Sequence, residues 1–350
     1  MKYLSLFSGI GGFEVAIHKI FPDAECIGYS DVKPHAIEVY KHHFPDHKNL
    51  GDITTITETK LKEAIKDHGG CDIIFGGFPC TNLSSLAHIA GDDSDLEGKK
   101  SSLFYHMMRV IKSVNRIIGH QVHVIFENNF SMTKKNKRLI TELIQQEYPD
   151  IYLTVLNGSE FGVQCRKRIF WTDFEIDKSG IKCEQKMADI LDPIGSNPSI
   201  SGKNVQLVNK TISASHKRKT LVKAEVAEVG EDEYYFVVEK IEDEKRTRWQ
   251  MGVHSDTGND DEIPYSYPAG KIRTITTSGN HNILIDRRGH SHGRFTPRMF
   301  SFQEVERLFG FTDGYTSMIK FKTKRRDVLG NSVIVPVIEY IFSQLLESYL

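Results

Sequence analysis

The first 21 residues constrain the fold of this 350-residue chain more than any other stretch. Residues 3–7 (YLSLF) are an apolar run of strand length, residues 8–12 (SGIGG) have the composition of a tight turn, and residues 13–21 carry apolar side chains at helical spacing. Glycine lets backbone approach a ligand closely, and a helix amino terminus favours a negative group. This strand, turn and helix predicts the first unit of a nucleotide-binding α/β sheet.

Two acidic residues follow at the same predicted edge of the sheet. Residues 26–30 indicate a second strand that ends at Asp31, and Asp52 follows the end of a third. A carboxylate after the second strand can accept hydrogen bonds from ribose hydroxyls. Asp31 could equally cap the helix predicted over residues 34–43, so both interpretations stay open on these residues alone.

Cys80 lies in the stretch FGGFPCTNLSS, which directly follows an apolar run predicted to be a buried strand over residues 71–75. Pro79 fixes its φ near about −65° and pushes Phe78 toward extended backbone, so the chain that enters the cysteine is stiff. This placement suits a nucleophile at the carboxyl edge of an open α/β sheet. Taken alone, the pattern also fits an ordinary buried cysteine.

Composition narrows the class of protein. Five cysteines without a close pair and fifteen scattered histidines indicate neither a disulfide framework nor a metal site. No stretch approaches the roughly 18 apolar residues of a membrane span, and a cytoplasmic protein is expected. The net charge of −1 hides basic clusters at residues 134–138, 216–219 and 322–326. Each cluster is either a solvated face or a contact for an anionic partner.

Eight short motifs run through the chain in one order: residues 6–12 (LFSGIGG), Asp31, residues 51–53 (GDI), 77–80 (GFPC), 126–128 (FEN), 164–168 (QCRKR), 273–276 (RTIT) and 330–333 (GNSV). In this order they resemble the motifs of the cytosine-5 DNA methyltransferases. The resemblance implies an α/β fold with a Rossmann-like domain that binds S-adenosylmethionine (AdoMet). It also implies a smaller, irregular target-recognition domain. The boundaries expected are residues 1–173 for the catalytic domain, 174–270 for target recognition and 271–350 for a return segment that completes the catalytic domain.

The resemblance also implies which residues bind AdoMet. Phe7 would lie against the adenine ring, Asp31 would accept from the ribose hydroxyls where the family usually has glutamate, and Asp52 would accept from the adenine amino group. The full set implied is Phe7, Gly9, Gly11, Gly12, Asp31, Val32, Asp52, Ile53, Pro79, Leu103, Asn331, Ser332 and Val333.

The catalytic residues implied are Cys80, Glu127, Arg166 and Arg168. Cys80 would add to carbon 6 of cytosine as a thiolate, so that carbon 5 becomes able to accept a methyl group. Glu127 would hydrogen-bond to ring nitrogen 3, while Arg166 would hold the pyrimidine carbonyl and steady the acid with support from Arg168. The chain departs from the family pattern at Thr81, usually glutamine, and at Asn129, usually valine.

Duplex DNA with the target cytosine flipped out of the stack is the substrate implied. A polar, acidic loop at residues 84–100 would close over that base, as loops close over other active sites. A monomer on DNA is expected, with a cognate restriction endonuclease as a possible partner. One alternative is a tRNA cytosine-5 methyltransferase of the same fold, although its usual Cys-Phe-Thr signature is missing. The other is a non-catalytic DNA-binding relative, which the presence of both residue sets disfavours.

Overall fold

The structure is a computed structural model that describes residues 1–79, 102–183, 185–193, 272–275 and 296–347. It also describes the backbone of strands at residues 204–208, 211–215, 222–225, 235–243, 246–254 and 282–286. Three sequence predictions lie outside the described residues: Cys80 with Thr81, the closing loop at 84–100, and the basic cluster at 216–219.

The central sheet has six strands in the order β2-β1-β3-β4-β7-β5, and it confirms the predicted α/β class. The strands of this first part of the chain are β1 Lys2–Leu6, β2 Glu25–Ser30, β3 Ile73–Gly77, β4 His123–Asn129, β5 Tyr152–Asn157, β6 Gln164–Cys165 and β7 Lys167–Thr172. Strands β1 to β4 run parallel, whereas β7 is antiparallel to both β4 and β5. The predicted strands around residues 3–7, 26–30 and 71–75 are all found, with ends shifted by a few residues.

Helices cover both faces of the sheet. They are α1 Gly12–Ile20, α2 Pro34–His43, α3 Glu58–His68, α4 Ser102–Ile118, α5 Lys134–Gln145, α6 Met187–Ile190, α7 Phe302–Phe309, α8 Lys322–Gly330 and α9 Val335–Glu347. Several begin at side-chain caps, because Thr57, Thr133 and Ser301 each accept a hydrogen bond from a backbone N–H of the first turn. Two end at glycines in the left-handed region, Gly69 and Gly310.

The side chains of β1 alternate between two cores, as the pleat of a strand requires. Tyr3 packs with Phe75 and with residues of α1 and α9 on one face, whereas Leu4 and Leu6 pack with residues of α3, α4 and α5 on the other. Phe75 is fully buried, and burial of such a side chain contributes about 1.5–3 kcal/mol. Parallel strands that are buried on both faces are therefore apolar throughout, and such continuous apolar runs predict strands in the sequence.

The predicted third strand is reduced to a single parallel bridge between Tyr29 and Asn49. Asn49 accepts a hydrogen bond from the N–H of Gly51, which has φ +85°, so the chain turns before a ladder can form. Asp52 then caps a short 3-10 turn, Ile53–Thr55. The end of this segment still reaches the carboxyl edge of the sheet.

The carboxyl-terminal helix packs against the first helix of the chain. Helix α9 packs along α1, with an ion pair of 2.5 Å between Lys19 and Glu339, and Phe342 meets Phe75 edge-on at 5.5 Å. The stretch Lys322–Glu347 contains an 18-residue window that is apolar enough to cross a membrane, but 67% of that window is buried within the protein. It is buried in the way that a core helix is.

The segment expected to recognise DNA contains antiparallel strands. One sheet has the order β10-β9-β8, from β8 Asn204–Val208, β9 Thr211–Ser215 and β10 Val222–Glu225. A second has the order β12-β11-β14-β15, from β11 Tyr235–Asp243, β12 Arg246–His254, β14 Asn282–Asp286 and β15 Thr296–Met299. Strand β13, Ile272–Arg273, pairs with β6 of the first domain. Strand β14 thus pairs with β11, and β15 pairs with β14, although both strands belong to the expected return segment.

Candidate active site

A cavity of about 1290 Å³ opens at the carboxyl edge of the central sheet. It is lined by the glycine turn after β1, the end of β2, the end of β3, and the facing ends of β4 and β7. The predicted site residues that line it are Phe7, Gly9, Gly12, Asp31, Val32, Asp52, Ile53, Pro79, Leu103, Glu127, Arg166, Arg168, Asn331, Ser332 and Val333. Parallel strands bring their carboxyl ends to one edge, so residues far apart in sequence meet there.

The turn after β1 has an unusual backbone. Phe7 is the one non-glycine residue with positive φ, +55°, in the described part of the chain, and this conformation costs roughly 1–2 kcal/mol. Gly9 follows with φ +57°, and a Cβ built there would meet no atom within 4 Å. Gly76 on β3 lets the end of β1 pass close to β3, because a Cβ at this position would lie 1.9 Å from the carbonyl oxygen of Leu6. The turn therefore presents bare backbone to an open space.

The other two glycines of the motif serve packing. Gly11 has φ +87°, and its Cβ would lie 2.6 Å from the ring of Phe44, away from the cavity. The prediction that Gly11 contacts the cofactor is not supported, because it is not among the residues that line the cavity. Gly12 does line it, and its Cβ would lie 2.7 Å from Cγ2 of Val333, so this glycine lets the last motif pack onto the first.

Asp31 links the end of β2 to the glycine turn. Its carboxylate accepts hydrogen bonds from the N–H of Gly9 and from the N–H of Lys33, both at 2.8 Å. Helix α2 begins after Lys33 and has no side-chain cap, so Asp31 does not act as its N-cap. Burial raises the pKa of Asp31 above its ordinary value, against the hydrogen bonds that lower it.

The short turn after Asp52 is held by an arginine that the sequence did not single out. Its Oδ1 accepts from the N–H of Thr54 at 2.8 Å, which fixes the 3-10 turn. Arg109 on α4 donates to the carbonyl oxygens of Ile53 at 2.8 Å and Ile56 at 2.6 Å. Nothing in the sequence around Arg109 signals this contact, because it joins positions more than 50 residues apart.

Glu127 and Arg168 form the ion pair of the cavity. Arg168 Nε lies 2.8 Å from Glu127 Oε1, and both side chains are largely buried, with 16% and 13% exposed. The antiparallel register sets Glu127 opposite Phe170 and Arg168 opposite Asn129, so the two side chains are diagonal neighbours. Gly77 on β3 makes room, because a Cβ there would lie 2.6 Å from Glu127 Oε2.

Arg166 binds three backbone carbonyl groups. It is 4% exposed and donates to the carbonyl oxygens of Ile275 at 3.1 Å, and of Gly330 and Ser332 at 2.8 Å each. The chain breaks between β6 and β7 at Arg166, so the two arginines do not share one strand face. Arg168 makes the ion pair with Glu127, and the roles predicted for both arginines at the pyrimidine ring stay predictions.

Comparison with known proteins identifies the family of the chain that forms this cavity. The sequence matches the family described as C-5 cytosine-specific DNA methylase over residues 1–347. The chain belongs to this family. It is a DNA cytosine-5 methyltransferase, and AdoMet is its methyl donor. The resemblance inferred from the motifs is thereby confirmed.

The relatives of this methyltransferase are modification enzymes. It is 26% identical to the Type II methyltransferase M.NgoBV of Neisseria gonorrhoeae and 25% identical to M.NlaIV of Neisseria lactamica, each alignment covering 99% of both chains. Its fold is shared with the crystal structure of S. pombe Dnmt2 methyltransferase, at a TM-score of 0.63 and 18% identity, covering 100% of this chain and 99% of that one.

The residues of the methyltransferase suit AdoMet. Gly9 leaves open space beside bare backbone, and Asp31 offers a carboxylate acceptor at the same edge. Val32 exposes 60% of its surface at the cavity although it is apolar, and an adenine ring could cover it. Among the described residues, no group of three or more His, Cys, Asp or Glu could hold a metal ion.

Two further contacts of the methyltransferase position the motifs. Asn128, which is fully buried, donates from Nδ2 to the carbonyl oxygen of Phe78 at 3.0 Å and so anchors the chain just before Pro79. Asn331 donates to the carbonyl oxygen of Asp327 at 2.8 Å, which directs its amide toward α8. The quoted motifs contained both asparagines, but their partners could be found only in the fold.

Proposed function

We propose that the protein transfers the methyl group of AdoMet to carbon 5 of a cytosine flipped out of duplex DNA, through a covalent adduct with Cys80. The observation that carries this proposal is the Glu127–Arg168 pair, which lines the same cavity as Gly9 and Asp31. Pro79 lines that cavity too, and Cys80 is the next residue of the chain.

The chemistry follows from where negative charge develops. The Cys80 thiolate forms a bond to carbon 6, and the electron pair of the 5,6 double bond becomes available at carbon 5. Glu127 meets the ring at nitrogen 3, and Arg168 orients that carboxyl group through their short ion pair. AdoMet supplies an electrophilic methyl group on its sulfonium. Loss of the carbon 5 proton to water then restores the double bond and expels the thiolate.

The cofactor contacts are assigned as the resemblance implies. Phe7 and Val32 cover the adenine ring, Asp31 accepts from the ribose hydroxyls, and Asp52 accepts from the adenine amino group. The remaining wall of this half of the cavity consists of Gly9, Gly12, Ile53, Pro79, Leu103, Asn331, Ser332 and Val333. Gly11 is left out of the contact set, since it faces Phe44.

Duplex DNA is favoured over tRNA as the substrate. The relatives that match along their whole length are Type II methyltransferases, whereas the likeness to Dnmt2 at 18% identity concerns the fold alone. The same relatives suggest a cognate restriction endonuclease as partner. The protein would then act in the cytoplasm as a monomer on DNA, with residues 174–270 reading the target sequence.

Trapping on a fluorinated base tests the mechanism. Bisulfite sequencing of a plasmid treated with the protein and AdoMet identifies the target site, and a duplex with 5-fluorocytosine at that site should then form an adduct that maps to Cys80. Cys80→Ala should abolish both adduct and methyl transfer while the Kd for AdoMet is unchanged. Cys183→Ala is the matched control, because Cys183 does not line the cavity and its Sγ donates a hydrogen bond to the carbonyl oxygen of Gly162. Methyl transfer by Cys80→Ala would refute the nucleophile.

A further inference from the structure

An exposed aromatic ring stands at the rim of the cavity. Phe130 directly follows β4, exposes 39% of its surface, and lines the cavity together with Glu127 and Arg168.

Two ammonium groups lie over this ring. Lys137 Nζ is 4.3 Å from the ring centroid and Lys167 Nζ is 5.7 Å from it. Both distances are within the roughly 6 Å over which an aromatic face attracts a cation. Lys137 comes from the first turn of α5 and Lys167 from the first residue of β7, so the ring brings together cations from two separate elements.

The charge of this cluster is not compensated by acids in the described part of the chain. Neither Lys137 nor Lys167 has a carboxylate partner there, whereas the nearby Arg138 is paired with Glu142 at 2.7 Å. Lys134 and Lys135 are exposed on the same turn of α5 and add to the positive field. Like charges held around one ring repel each other, and an anion bound between them would relieve that repulsion.

The position of the cluster indicates which anion. Lys167 precedes Arg168 in β7, and Phe130 lies three residues beyond Glu127, the pair against which the target base is proposed to bind. A flipped base stays attached to its strand, so the sugar-phosphate chain on either side must pass the rim of the cavity. We infer that Phe130 holds Lys137 and Lys167 as a clamp for the phosphodiester of the target strand beside the flipped cytosine. This inference rests on the proposed function.

Salt dependence of duplex binding tests the two lysines. Each phosphate contact contributes about 0.9 to the slope of log K against log salt concentration. Lys137→Met with Lys167→Met should therefore lower the slope by nearly 2 and weaken binding of the target duplex at least 10-fold at low salt. Lys66→Met is the matched control: this exposed lysine lies in the last turn of α3, which leads to the start of β3 at the opposite edge of the sheet. Its slope should equal that of the wild type.

A double-mutant cycle tests the ring. Phe130→Leu should weaken duplex binding about 2- to 5-fold, the range expected for an exposed cation–π contact. In the variant in which both lysines are methionine, the same substitution should not weaken duplex binding further. If the ring instead stacks on a base, Phe130→Leu would still weaken duplex binding in the double lysine variant, and that result would overturn the clamp. So would an unchanged salt slope in the double lysine variant.

Two parallel measurements separate the possible failures. Isothermal titration with AdoMet checks that every variant is folded, since none of these three residues is assigned to the cofactor. Methyl transfer by the wild type to plasmid DNA tests the proposed function in the same samples. Transfer with unchanged slopes refutes the clamp alone, whereas absence of transfer by the wild type refutes the function and the clamp with it.

Discussion

The cavity has two halves that are built differently. The cofactor half, around Gly9, Asp31 and Asp52, comes mostly from the first two strand–helix units, and its groups are held by backbone N–H bonds over short stretches of chain. The base half, around Glu127 and Arg168, depends on side chains from neighbouring strands and on Arg166, whose partners lie up to 166 residues away. The polar groups of the cofactor half are thus held mostly by contacts within the first 54 residues, whereas those of the base half depend on contacts between distant segments.

This difference predicts that the two halves fail separately. A change in the base half should abolish the reaction and leave AdoMet binding intact, while a change in the cofactor half should appear first as a weaker Kd. The following experiments test that separation, from the largest expected effect to the smallest.

Glu127→Gln should have the largest effect. A positioned acid or base contributes about 10²- to 10⁴-fold to a rate, so the single-turnover rate of methyl transfer should fall within that range. The Kd for AdoMet should not change, because Glu127 belongs to the base half. Glu142→Gln on the exposed face of α5 is the control and should keep the wild-type rate. A wild-type rate for Glu127→Gln would remove Glu127 from the mechanism.

Arg168→Met and Arg166→Met should separate chemistry from folding. Arg168→Met should lower the methyl-transfer rate about 10²-fold, since it removes the partner that orients Glu127. Arg166→Met should instead lower the free energy of unfolding by about 3 kcal/mol, because three carbonyl groups lose a buried charged donor. Denaturant titration and single-turnover kinetics measure the two effects. A larger loss of rate for Arg166→Met than for Arg168→Met would favour the roles that the sequence suggested.

Asp31→Asn should weaken AdoMet binding about 10-fold, as expected for the loss of one hydrogen bond to a charged acceptor. Isothermal titration measures this, with Asp23→Asn, an exposed acid before β2, as the control. An unchanged Kd would mean that Asp31 serves only to tie Gly9 and Lys33 together.

The pH dependence of binding sharpens the role of Asp31. Burial raises its pKa, so the folded chain keeps this proton at pH values where the unfolded chain has released it. The group therefore favours folding below its ordinary pKa, and that contribution is lost as the pH rises through the raised pKa. Accepting from ribose needs the ionised form, so AdoMet affinity should fall on acidification, beginning at a higher pH than for an ordinary aspartate. The Asp31→Asn variant should lack this fall.

Arg109→Met should have the smallest effect, a Kd for AdoMet about 3-fold weaker. Arg109 acts through the backbone of Ile53 and Ile56, so its loss loosens the turn that carries Asp52 without removing a cofactor contact. Arg116→Met on the same helix is the control, because its partner Glu58 belongs to α3. Equal Kd values for the two variants would show that Asp52 is held without Arg109.

The cofactor half was largely predictable because its signals are local. A glycine turn after a strand, and an acid at the end of the next strand, are readable in any parallel sheet, and the structure places Gly9 and Asp31 in hydrogen-bond contact. The base half was predicted only as far as its motifs resembled a family. The motifs singled out Glu127, Arg166 and Arg168, but they did not show that Arg168 pairs with Glu127 while Arg166 binds backbone carbonyls.

The sequence by itself determined the order of the strands and turns, and with it which residues reach the carboxyl edge, because apolar runs and glycines act over a few residues. Only the tertiary structure decided which side chains meet. Arg166 and Arg168 are two residues apart, yet β6 pairs with β13 and β7 pairs with β4, so one guanidinium group binds backbone carbonyls and the other meets Glu127. Pairing between distant strands sets the direction in which each guanidinium group points, and no local pattern of residues encodes that pairing.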